Sequence, residues 1–168
     1  MKRAVSLLPL AATSLALATA GGCIVASSRE TVRPPDASAA VRRFTVSPQD
    51  APKAIGPYSP GVVSGDTLWI SGQIGLDPAS GALVDGGISA QARRALENVM
   101  AVVRAAGFRP SDIVQVQVFL TDLSRFDAVN AVYAEFFPVD PPARATLQVS
   151  ALPRGAEVEI AAVARKTK

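Results

Sequence analysis

Two segments with helical periodicity stand among six short β-prone runs, and that ratio constrains the architecture more than any other feature. The first helix extends from Ser89, its cap, to about Ala106, with Gly107 ending it. Ala92, Leu96, Val99, Met100, Val102 and Val103 form its apolar stripe. The second runs from about Ser124 to Phe137, with Phe126, Val129, Val132, Tyr133 and Phe136 on one face. Arg43–Val46, Gly61–Ser64, Thr67–Ser71, Ile113–Phe119, Thr146–Val149 and Glu157–Val163 read as strands. Gly65-Asp66 joins the second and third of these as a hairpin. The order β-β-β-α-β-α-β-β predicts one α+β domain, a mixed sheet with both helices on one face. Two helices cannot cover a six-stranded sheet twice. The other face is therefore expected to meet partner subunits.

The N-terminus has the layout of an export signal. Lys2 and Arg3 precede an uncharged stretch from Ala4 to Ser28 built around Leu7, Leu8, Leu10, Leu15 and Leu17. Ala18-Thr19-Ala20 suits ordinary signal-peptide cleavage before Gly21, whereas Gly21-Gly22-Cys23 resembles the end of a bacterial lipobox. The lone cysteine stands where lipidation needs it, so residues 1–22 are expected to be a lipoprotein-type signal and Cys23 the acylated residue. Plain secretion and a retained anchor helix are the other readings; Pro9 and the glycines weigh against the anchor. Ile24 after the cysteine points, by analogy, to an outer membrane facing the periplasm. Without lipidation the protein would be soluble there. Residues 23–42 carry prolines, serines and alanines without a hydrophobic period, as a flexible tether does. The folded domain is expected over 43–168.

Composition removes several chemistries. The 168 residues include no His and one Cys, which excludes Ser-His-Asp triads, Cys-His dyads and His-ligated zinc. No metal and no organic cofactor is expected. The chain carries +3 overall, but residues 45–168 set eleven Lys and Arg against twelve Asp and Glu, a balance of −1. A near-neutral domain lacks the electrostatic footprint of a nucleic-acid binder.

Five segments stand out in the domain. Ile55-Gly56-Pro57-Tyr58 is a rigid loop presenting a hydroxyl, and Ser71-Gly72-Gln73 lets backbone approach a ligand where a strand ends. Pro142-Ala143-Arg144 offers a planar fork that grips carboxylates in two places at once. Glu157-Val158-Glu159 puts two carboxylates on one strand face, and Val129–Phe137 is chiefly a core-facing helix. Taken singly, a turn, a β-bulge, a surface arginine and exposed alternation account for the first four.

Taken together, in this order, they resemble the Rid (YjgF) family of reactive intermediate deaminases over essentially all of 45–168. The match rests on Ile55-Gly56-Pro57-Tyr58, Ser71-Gly72-Gln73, Asn130-Ala131-x-Tyr133-x-x-Phe136-Phe137, Pro142-Ala143-Arg144, and Leu152-Pro153-x-Gly155 followed by Val158-Glu159-Ile160-x-Ala162. The resemblance implies a chorismate-mutase-like fold and a homotrimer with clefts between subunits. It also implies roles for particular residues. Arg144 would bind the substrate carboxylate and Glu159 would attend the reacting water. Tyr58, Ser71 and Gly72 would line the pocket, with Ala145 and Thr146 beside the arginine. Thr146 stands where many members have Cys, and the export signal is a second departure from typical cytosolic members.

The implied reaction suits the residue inventory. A 2-imino acid has a carboxylate beside an electrophilic C=N carbon, so Arg144 and a water held by Glu159 would suffice for hydrolysis to a 2-oxo acid and ammonia. The other reading is a trimer of the same fold that binds a small carboxylate without turnover. A ribonuclease, an activity sometimes attached to this family's name, is disfavoured by the absent His and the domain's charge.

Overall fold

The computed structural model describes residues 42–166. Its elements are β1 (Arg43–Val46), β2 (Gly61–Ser64), β3 (Thr67–Ile74), α1 (Gly87–Ala105), β4 (Ile113–Leu120), α2 (Phe126–Phe136), β5 (Ala143–Gln148) and β6 (Val158–Arg165). The signal, Cys23 and most of the tether lie outside the described residues.

The six strands form one sheet in the order β1-β2-β3-β6-β4-β5. β5 runs parallel to β4 and every other pair is antiparallel, which makes the sheet mixed. The last strand thus inserts between β3 and β4, so the C-terminal segment occupies the middle of the sheet. Alternation along it explains the placement: Val158, Ile160, Ala162 and Ala164 are all buried on the helix side. They pack with Leu68, Leu96, Val99, Val102, Val116, Val118 and Leu120 into one core. Removing each Leu or Val side chain of this set from water contributes about 1.5–3 kcal/mol. Residues of α1 and α2 belong to that same core, and both helices therefore cover one face.

The opposite face is uncovered in the chain. Trp69 is 56% exposed there. It lies with Gln115, Gln117, Ala161 and Val163 along a groove of about 210 Å³.

Boundaries differ from the sequence reading in several places, β5 among them: it begins at Ala143 rather than Thr146 and so carries Arg144 on the strand. α1 begins at Gly87 behind Gly86 (φ 104°), with no side-chain cap, so Ser89 lies inside the first turn. Glycine's access to positive φ lets the chain enter the helix three residues earlier than a cap at Ser89 would. Before α2, Asp122 takes the cap: its Oδ1 accepts from the Ser124 amide at 2.9 Å, and the turn Leu123–Arg125 leads into the helix. β3 does not stop at Ser71. It continues to Ile74 through a register shift between Ile70 and Gln73, so the bulge and the Ser-Gly-Gln segment coincide.

Two polar contacts fasten this irregular end of β3 to α1. The Asn98 side chain, 1% exposed, donates through Nδ2 to the carbonyls of Ile74 (3.1 Å) and Leu76 (3.0 Å). Ile74, Leu76 and Ala156 form a second small apolar cluster there. A buried amide with both donors satisfied holds the backbone in one place. That rigidity positions the site.

Candidate active site

The bulge turns β3 so that Ser71 meets the Tyr58 loop and Gly72 meets β6. Ser71 is clamped to the loop twice: its Oγ donates to the Ser59 carbonyl at 2.8 Å and its amide to the Pro60 carbonyl at 3.0 Å. The serine hydroxyl proton is thus engaged in holding the loop. Within that loop the Tyr58 amide donates to the Gly56 carbonyl at 2.9 Å, and the Ile55 amide donates to the Tyr58 hydroxyl at 3.4 Å. Tyr58 is 45% exposed and lines a narrow groove with Gly72, Lys53, Ile55 and Ile74.

Gly72 lies directly beneath the Glu159 side chain. A Cβ at position 72 would overlap the Glu159 carboxylate, so the glycine makes room for it. Glu159 lies between Val158 and Ile160, both fully buried on the helix side, and it therefore projects from the uncovered face. Partial burial pushes its carboxyl above its ordinary value. Such a carboxylate is the more basic for it, which suits proton transfer near neutral pH.

Glu157 does not share that surface, contrary to the reading of the pair as one strand face. It precedes β6, and its Oε2 accepts from Gln91 Nε2 of α1 at 3.3 Å while its amide donates to Gln91 Oε1 at 2.9 Å. The reciprocal pair draws Glu157 to the helix layer and leaves Glu159 alone.

Arg144 is on β5, opposite Val116 of β4, whose side chain is 1% exposed in the helix-side core. Parallel partners share a face, so Arg144 projects toward α2. Its guanidinium lies 4.6 Å from the Tyr133 ring centroid and 5.5 Å from that of Phe126. The two rings form a shelf that fixes the plane of the fork and attracts its charge. Among the described residues no carboxylate pairs with Arg144. Its cleft, about 400 Å³, is also lined by Asn130, Phe137 and Pro142. The Tyr133 hydroxyl is buried there without a hydrogen-bond partner, and burial raises its pKa.

Thr146, opposite Val118, shares the Arg144 face and is partly buried, whereas Ala145, opposite Gln117, points the other way. The chain thus brings Tyr58, Ser71, Gly72 and Glu159 together on one side. It holds Arg144 and Thr146 on the other. The aromatic shelf escaped the sequence reading because Phe126 and Tyr133 look like core residues of an amphipathic helix. Their spacing of seven, which puts them on one face, was the available signal.

The chain is similar to known proteins over nearly all of the described residues. Residues 48–166 match the family model described as Endoribonuclease L-PSP. A 2-iminobutanoate/2-iminopropanoate deaminase of Capra hircus is 49% identical over 127 residues, 76% of this chain and 92% of that protein. The solved structure of the YjgF gene product of E. coli superposes with a TM-score of 0.71 at 42% identity, covering 74% of this chain and 99% of that one. E. coli TdcF, solved with bound serine, has a TM-score of 0.71 at 41% identity and covers 74% and 99% respectively.

Proposed function

Because the chain belongs to the Endoribonuclease L-PSP family, which includes the Rid (YjgF) proteins, we propose that it hydrolyses reactive 2-imino acids and their enamine tautomers to 2-oxo acids and ammonia. The observation that carries this reading is the half-buried Glu159 carboxylate over Gly72, together with an arginine fork that, among the described residues, no carboxylate occupies.

Arg144 and Glu159 belong to opposite faces of one sheet, so a single chain cannot place both against one small substrate. A homotrimer resolves this: the uncovered face of one subunit meets β5 and the α2 end of the next. Arg144 of the partner subunit then takes the substrate carboxylate through two charge-assisted hydrogen bonds. The imine carbon is thereby set against a water beside Glu159. Glu159 accepts a proton from that water as its oxygen bonds to the imine carbon and the C=N π pair moves to nitrogen. The proton passes on to nitrogen to give the carbinolamine. Its hydroxyl proton then moves by way of Glu159 to the nitrogen as the C–N bond breaks, so that the carbonyl forms and ammonia leaves. Water and imine enter, 2-oxo acid and ammonia leave, and no oxidant, metal or organic cofactor takes part. Positioning supplies most of the acceleration. Tyr58 and the backbone at Gly72, Ala145 and Thr146 complete the walls.

The test is ammonia release from 2-iminobutanoate or 2-iminopropanoate generated in solution, with and without the purified protein. Release no faster than the spontaneous reaction would leave a trimer that only binds small carboxylates. We further propose, from the sequence alone, that Cys23 is acylated and holds the domain at a membrane through the tether. Several acyl chains on one cysteine anchor stably where a single chain does not.

A further inference from the structure

The groove at Gly72 and Tyr58 adjoins a second hollow. Pro52, Lys53, Ala54 and Pro60 form a wall the groove shares with this larger hollow of about 370 Å³, which runs out past Ser47, Gln49 and Pro78. Prolines at 48, 52, 60 and 78 stiffen the walls of the larger hollow, since each fixes its own φ. Near Gly72 the lining sets apolar Ile55, Ile74 and Leu76 beside Tyr58 and Gln73. Farther out one charged residue lines both hollows, Lys53. Its ammonium has no carboxylate partner among the described residues. The acidic residue nearest in sequence, Asp50, pairs instead with Arg104 at 3.3 Å.

From this arrangement we infer that Lys53 is a specificity residue that favours 2-imino acids whose side chain itself ends in a carboxylate. The inference rests on the deaminase reading above. With the substrate's first carboxylate on Arg144 of the partner subunit and its imine carbon beside Glu159, the side chain leaves the reacting centre past Gly72 and Tyr58. Short methylenes then lie against Ile55 and Ile74, and an acidic end reaches the Lys53 ammonium. A neutral side chain of the same length gains the apolar contact and not the ion pair. Because Lys53 is exposed, the gain is modest and weakens with salt.

The experiment compares kcat/KM of the full chain on the imine of glutamate and on 2-iminobutanoate, each made in solution by an amino-acid oxidase. Lys53→Met is expected to lower the glutamate-to-butanoate ratio about fivefold, the scale of an exposed ion pair, chiefly through KM. Lys53→Arg restores it, and the wild-type ratio falls as ionic strength rises. A ratio that Lys53→Met leaves unchanged overturns the assignment while the deaminase reading stands. If neither imine is hydrolysed faster than in buffer, the deaminase reading fails and takes this inference with it.

Discussion

Arg144 and Glu159, the fork and the carboxylate on which the proposed chemistry depends, point away from each other through the same sheet. Arg144 leans on Tyr133 and Phe126 of the helix layer, and Glu159 rises over Gly72 on the face the helices leave bare. Each is half of a site. Under the proposed chemistry, assembly becomes a condition of activity, and the bare face, with Trp69 more than half exposed, is where the neighbouring subunit would pack.

Assembly is therefore the first expectation. Light scattering should return three times the monomer mass, and Trp69→Glu, which puts a charge in the centre of the bare face, should return the monomer. Ammonia release should fall in step with the trimer fraction. A fully active monomer would show that one chain completes the site by itself.

Arg144→Lys keeps the charge and loses the planar fork. Without the second charge-assisted hydrogen bond, kcat/KM for 2-iminobutanoate should drop about ten- to a hundredfold. Melting temperature should change little, since among the described residues the fork makes no side-chain hydrogen bond or ion pair and the lysine keeps a charge beside the Tyr133 and Phe126 rings. Near wild-type turnover would mean the carboxylate is held elsewhere.

Glu159 carries the pH dependence. Burial raises its carboxyl above the ordinary 4.5, so the acid limb of a kcat/KM profile should lie above that value and vanish in Glu159→Gln. The variant should lose about a hundredfold or more in rate. Stability has the opposite sign. A carboxyl with a raised folded-state pKa binds its proton more tightly folded than unfolded. Its penalty is absent below 4.5 and sets in as pH rises through the raised value. At neutral pH Glu159→Gln should thus melt no lower than wild type, as a thermal scan at two pH values would reveal.

The glycines of the β3 end should separate folding from activity. At Gly75 an added Cβ would lie 2.7 Å from the Gln91 Cα and 2.9 Å from its carbonyl oxygen. Backbone of α1 cannot yield cheaply, and Gly75→Ala should cost about 1–3 kcal/mol in denaturant unfolding. At Gly72 the three atoms nearest the added methyl all belong to the Glu159 side chain, which can rotate away. Gly72→Ala should stay folded and lose about a hundredfold in turnover as the carboxylate is displaced.

Lipidation has a direct readout. Labelled palmitate should enter the wild-type chain in cells and not Cys23→Ser, with the label in the membrane fraction. A mature chain that begins at Gly21 and carries no label would make the protein freely soluble.

Local pattern carried much of this protein. The Gly65-Asp66 hairpin, the alternation of β4 from Gln115 onward, the stripe of α1 and the one-sided helix layer follow from residues close in sequence, because periods of two and 3.6 are set by neighbours. The residues of the site were also readable, as five short motifs in order, since Tyr58, Ser71, Gly72, Arg144 and Glu159 each sit in a distinctive local context. Their grouping was not. The place of β6 between β3 and β4, the bulge that carries β3 on to Ile74, and the Gln91 pair that diverts Glu157 all depend on contacts between distant segments. A one-residue change of register exchanges the two faces of a strand, and long-range pairing decides that register. Thus the sequence determined which groups the protein has for chemistry. Only the tertiary structure decided that Arg144 and Glu159 stand on opposite faces of the sheet.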